Sequence, residues 1–154
     1  MRENEAIEEF KEGLGLLRSG QARAALRHLR KAVTLNARNP FYLSYMGLAL
    51  GAAEGDWDQA EDLCFTALRM TRNRPELYLN LAEVYRRAGK KEDAVWILMS
   101  GLEVTKRDAR LQHALSQLGI RRPPLLAFLD RKNFLNRHLG RLRSRLSTAQ
   151  RKRA

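Results

Sequence analysis

The chain has 154 residues, 44% of them hydrophobic and 30% charged, the proportions of a globular domain with a core of its own. A single cysteine, Cys64, excludes an internal disulfide; no apolar run approaches the roughly 18 residues of a membrane-spanning helix; and the opening MRENEAIEEF is too acidic for a signal peptide, so a cytoplasmic protein is expected. The net charge of +12 is unevenly placed, because 11 of the 29 lysines and arginines fall in residues 121–154 beside one acid, Asp130.

Taken in chain order, apolar residues recur at three- and four-residue steps, the spacing of amphipathic helices. Residues 4–18 predict a first helix, with Phe10, Leu14 and Leu17 on one face and Gly13 and Leu16 beside them. Residues 21–35 predict its partner, with Ala25, Leu29 and Ala32 as the packing stripe. Pro40 favours the start of a third helix over 41–53, which Gly51 weakens near its end. Asp56 is suited to cap a fourth over 57–71, with Gln59 completing the cap pattern and Trp57 near the turn. Pro75 opens a fifth with the stripe Leu77, Leu81, Val84 and Tyr85, and Gly89 ends it. Residues 91–105 predict a sixth with Ala94, Leu98 and Leu102. Residues 108–118 predict a seventh, apolar at Leu111, Ala114, Leu115 and Leu118.

These helices repeat. Gly20, Gly55 and Gly89 are spaced by 35 and 34 residues, and Ala25, Ala60 and Ala94 step in the same way. Leu43, Met46, Gly47 and Leu50 read L-x2-M-G-x2-L; Tyr78, Leu81, Ala82 and Tyr85 read Y-x2-L-A-x2-Y, followed by Ala94 and Leu98 as A-x3-L. This resembles the tetratricopeptide repeat pattern W-x2-L-G-x2-Y…A-x3-F, one helix-turn-helix of about 34 residues. Such a pair cannot bury its outer faces alone and stacks on copies of itself. The resemblance implies an all-α, TPR-like helical solenoid over residues 4–118, with repeats at about 4–37, 40–72 and 75–106 and a cap helix at 108–118. The first copy carries Glu9 and Glu12 where large apolar residues are expected, as suits a solvent-facing end. The extra residue of the middle copy, between Gly47 and Gly55, is expected to lengthen the turn around Glu54.

Residues 121–154 read as a second, basic segment. Pro123 and Pro124 exclude a continuous helix from the array into it. Leu125, Leu126, Phe128 and Leu129 are apolar enough to dock on the last helices. Phe134, Leu135, Leu139, Leu142 and Leu146 then alternate with Arg137, Arg141, Arg143 and Arg145 in a C-terminal basic amphipathic helix, and the final QRKRA is expected to be disordered. Three roles fit this segment: a capping helix with solvated arginines, a contact with an anionic membrane surface or acidic protein, and a weak polyanion contact that includes nucleic acid.

No constellation for catalysis is present, so the chain is not read as an enzyme, and no cofactor or metal is expected. His28, His113 and His138 share no metal-ligand spacing with one another or with Cys64, which reads as a buried packing residue. Gly13, Gly15 and Gly20 lack the preceding strand and the GK[ST] end of a phosphate loop, which leaves helix packing as their role. The acidic pairs Glu8-Glu9, Glu61-Asp62 and Glu92-Asp93 read as solvent-facing or capping.

The resemblance implies that partners bind on a concave face built from the first helix of each repeat. Helical spacing gives this face Phe10, Leu14 and Leu17; then Phe41, Tyr45, Leu48 and Ala52; then Leu79, Asn80, Glu83 and Arg86; with His113 and Gln117 from the cap helix. In TPR modules that bind acidic C-terminal peptides this face carries a carboxylate clamp of Lys and Asn. Phe10 and Leu14 occupy two of those places here, which argues against that ligand. The expected role is a non-catalytic adaptor or small chaperone that holds an apolar or amphipathic protein or peptide segment. The competing readings are a groove covered by the chain's own ends or a second copy, and a function driven by the tail on a membrane surface or nucleic acid.

Overall fold

The computed structural model describes residues 2–119, and helices with short turns account for them; no strand occurs among the described residues. The helices are α1 (Arg2–Arg18), α2 (Ala22–Leu35), α3 (Pro40–Glu54), α4 (Trp57–Met70), α5 (Pro75–Arg87), α6 (Lys91–Val104) and α7 (Ala109–Gln117). Their starts are chemically marked. The Asn39 side chain accepts from the Phe41 and Tyr42 amides at 2.9 and 3.4 Å, with Pro40 in the first helical turn. Asp56 accepts from Gln59 N–H at 3.0 Å and Asp108 from Arg110 N–H at 2.9 Å. Gly20, Gly55 and Gly89 turn the chain out of each first helix with φ of +80°, +73° and +75°, a region L side chains avoid.

α1 packs on α2, α3 on α4 and α5 on α6, and α2, α4 and α6 pass the contact on to the next pair. α1, α3, α5 and α7 also touch in succession, so they form one layer and α2, α4 and α6 the other. The small residues at period positions make the contacts tight. Ala25, Ala60 and Ala94 are wholly buried. A Cβ on Gly47 would lie 2.8 Å from the Ala60 carbonyl oxygen and 2.9 Å from Cys64 Sγ, so α3 and α4 touch nearly backbone to backbone. On Gly13 it would lie 2.7 Å from Leu29 Cγ, which identifies that glycine as a helix-packing residue. Leu77, Leu81, Val84, Tyr85, Leu98 and Leu111 close the core of the later repeats.

Three expectations need correction. The extra residue of the middle copy does not lengthen the turn. α3 runs through Glu54, and only Gly55 and Asp56 separate it from α4, whereas three residues separate α1 from α2 and α5 from α6. The added residue extends the helix instead, and Gly51 near its end leaves room for the Trp57 ring, whose Cζ3 would meet a Cβ there at 2.4 Å. Glu61 is not solvent-facing. It is 3% exposed and accepts from Tyr85 Oη at 3.2 Å and Lys90 Nζ at 2.7 Å, tying α4 to the following repeat. Glu9 is half-buried, with Lys31 Nζ at 2.6 Å and His28 Nδ1 at 2.7 Å, so polar contacts to α2 replace the apolar one expected at that position. The docking of residues 125–129 and the basic helix carrying Arg137, Arg141, Arg143 and Arg145 lie outside the described residues.

Candidate functional site

The inner layer presents one face that neither the outer helices nor neighbouring inner helices cover. On α1, Phe10 turns toward α3: its ring lies 4.7 Å from Tyr42 and 5.6 Å, edge-on, from Tyr45. Leu17 packs against the cluster of Ala25, Leu26, Leu29, Ala49 and Leu50. Both stay partly exposed while they contribute to the α1–α3 and α2–α3 contacts. Leu14 remains partly exposed, as does Ile7, two helical turns before it on the same side, at 37%.

α3 contributes half-buried Phe41, Tyr45 and Leu48, with Ala52 beyond. Its sequence, PFYLSYMGLALGAAE, has no charge before Glu54. Tyr45 and Phe41 also lean on core clusters, so they serve both packing and surface. The Arg74 guanidinium stands 6.0 Å from the Phe41 ring centroid, within cation–π range.

α5 and α7 are tied by Arg110 Nη1 to Glu76 Oε1 at 2.6 Å, and a groove of about 820 Å³ opens between the two helices. The expected residues Leu79, Glu83, Arg86, His113 and Gln117 come together here. Leu79, Ala82, Leu98, Ala114 and Leu118 supply the apolar lining. Asn80, expected in this set, is 7% exposed and turns to α3, donating from Nδ2 to Ser44 Oγ at 3.1 Å. A buried amide must find a partner, and the nearest one is the Ser44 hydroxyl on the adjacent inner helix. Cys64 joins the same buried group, its thiol donating to the Ser44 carbonyl at 3.2 Å; burial pushes its pKa up to about 12, so the sulfur is held as a neutral thiol.

The charges at the rim are arranged in clusters. Arg86 contacts Glu83 through two bonds of 2.7 and 2.8 Å, and Arg87 reaches the same carboxylate at 2.6 Å. Hydrogen bonds from Arg86, then Arg87, hold the Glu83 carboxyl below the usual carboxylate range. At the other end Arg110 is shared by Glu76 and Asp108, and its hydrogen bond to Asp108 holds that acid low as well. Among the described residues no group of three His, Cys, Asp or Glu side chains could hold a metal, and no helix is long and apolar enough to cross a membrane.

Residues 52–118 match the model of the tetratricopeptide repeat family. That stretch, from the end of α3 through α7, is the part of the chain that carries the tetratricopeptide repeat signature. Solved TPR structures share its fold at low identity. The first TPR domain of human RPAP3 superposes with a TM-score of 0.64 at 17% identity, covering 85% of this chain and 98% of that one. The second TPR domain of the same human protein, in complex with the HSP70 peptide SGPTIEEVD, gives 0.62 at 16%, covering 77% and 98%. The Yersinia enterocolitica type III secretion chaperone SycD, in complex with a peptide of the translocator YopD, gives 0.57 at 16%, covering 74% and 92%. No curated protein sequence matches the chain. In TPR terms α1–α2, α3–α4 and α5–α6 are three stacked repeats, and α7 caps the last of them.

Proposed function

We propose that this TPR array is a protein-interaction adaptor or small chaperone that holds an apolar or amphipathic segment of a partner on its inner face. The observation that carries the reading is the α5–α7 groove: about 820 Å³, apolar beneath, with charged and amide side chains along its rim. Such a surface removes apolar side chains of a ligand from water and orients them with a few polar groups. Two structural neighbours are described in complex with peptides, which supports the class of ligand without naming this chain's own. A photo-crosslinking amino acid at Leu79, introduced into the full chain in its native cell, should capture a protein partner. The same residue at Met70, exposed on α4 in the outer layer, should not. Equal capture from both positions, or capture from position 70 alone, would reject the groove.

A further inference from the structure

We infer that the edge of the array carrying the turns between repeats docks on an anionic membrane surface, with Met70 and Val104 entering the lipid headgroup layer. This contact is separate from the inner face and does not depend on the reading of it. α3, α5 and α7 run in the same direction, because one antiparallel helix separates each from the next. Their starts, and the ends of α2, α4 and α6, therefore lie at one edge. The turns there, residues 36–39, 71–74 and 105–108, hold Arg38, then Arg72 and Arg74, then Lys106 and Arg107. Arg38, Arg72 and Lys106 are 34 residues apart, so each repeat presents a cation at the same place. Packed helices lie about 8–10 Å apart, which sets these cations in a row. All five are exposed, and none forms an ion pair among the described residues. Glu76 beside the middle turn and Asp108 in the last are both bound by Arg110. Glu3 at the start of α1 and Glu103 near the end of α6 offset the row only in part.

A second observation distinguishes a bilayer from other polyanions. Met70 and Val104 are the last residues of α4 and α6, again 34 apart, and they are 44% and 46% exposed, the most of any large apolar side chains among the described residues. Each stands two residues before an unpaired cation of its turn. Nucleic acid would neutralise the cations but would gain nothing from these apolar tips, and the turns hold no aromatic ring on which a base could stack. A headgroup layer takes both: its anionic lipids attract the cations, and its acyl boundary accepts the apolar side chains. Lys106 and Arg107 also hold φ of +52° and +62°, where glycine would be unstrained. Backbone strain of this kind persists where the side chains serve a contact.

The test is partition of the full chain onto vesicles. One set is phosphatidylcholine with about 30% phosphatidylserine, and the other is phosphatidylcholine alone. The chain should bind the anionic vesicles and bind the neutral ones at least about tenfold more weakly. Each cation held near an anionic bilayer strengthens binding by about fivefold, so Arg38→Gln, Arg72→Gln and Lys106→Gln together should weaken it by about a hundredfold. Met70→Ser with Val104→Ser should weaken it by about tenfold or more. Circular dichroism and the melting temperature should stay unchanged in both variants, because all five side chains are exposed. Full binding by the triple variant would overturn the docking edge and leave the basic segment 121–154 as the membrane contact. Binding that ignores the change at Met70 and Val104, equal binding to both vesicle sets, or no binding to either would overturn it as well. Leu79→Glu should leave vesicle binding unchanged, so this inference and the inner-face reading fail separately.

Discussion

At the scale of single residues, the fold depends on side chains that are absent as much as on those present. Gly47 has no alternative, because a Cβ there meets the Ala60 carbonyl, a backbone atom that cannot rotate away, at 2.8 Å. Gly47→Ala should cost about 1–3 kcal/mol in urea unfolding, the usual range for overpacking; an unchanged midpoint would mean that α3 and α4 do not approach this closely. Lys106 and Arg107 point the other way. Both have positive φ, +52° and +62°, in the turn between α6 and α7, although neither is glycine. Left-handed backbone costs an L residue about 1–2 kcal/mol, so Arg107→Gly should stabilise the protein by about 1 kcal/mol after the added entropy of the unfolded chain is counted. A lower midpoint for this variant would show that the turn is not left-handed at Arg107.

At the scale of elements, contacts between helices are partly electrostatic, which gives the array an acid limit. Between helices, Lys31 and His28 on α2 hold the Glu9 carboxyl of α1 below its ordinary 4.5, and within α5 Arg86 and Arg87 do the same to Glu83. A carboxylate with a depressed folded pKa contributes stability that is fully present above its unfolded value and is lost as pH falls through the folded one. The melting temperature should therefore hold from neutrality to about pH 5 and fall below that. Glu9→Gln should flatten the fall, and a wild-type profile unchanged down to pH 3 would contradict the pairing. How much of this was legible in the sequence depends on range. The period in Gly20, Gly55 and Gly89, and in Ala25, Ala60 and Ala94, exposed the helix pairs, because tight turns and close helix contacts restrict residue type at fixed positions. The inner-face stripe of Leu79, Glu83 and Arg86 followed from helical spacing alone. Glu61 and Asn80 did not. Their partners Tyr85 and Ser44 lie 24 and 36 residues away, and a polar residue looks solvent-facing until the group that satisfies it in the core is known.

At the scale of the whole molecule, two segments of one chain have different electrostatic characters. Residues 121–154 hold 11 lysines and arginines against Asp130, while the other 18 basic residues are set against 16 acids in residues 1–120. Residues 1–120 are thus nearly neutral, and some of their charges are paired, as with Lys11 and Glu8, Arg30 and Glu54, and Lys90 with Asp58. Binding to a flexible polyanion follows the number of anionic groups neutralised, and each neutralised group steepens the dependence on salt. At about 0.15 M salt the screening length is roughly 8 Å, so paired charges spread over the array contribute little. Most of any affinity for heparin should then reside in the final segment. The full chain should elute from a heparin column well above the salt at which a chain ending at residue 120 elutes, and the log–log salt slope should be several-fold steeper. Replacing Arg137, Arg141, Arg143 and Arg145 with glutamine should bring the slope most of the way down, whereas Leu79→Glu, which acts on the inner face, should leave it unchanged. Retention of the shortened chain at the same salt as the full one would move the polyanion contact onto the array, where Arg18, Arg23 and Arg27 would be the residues to change next.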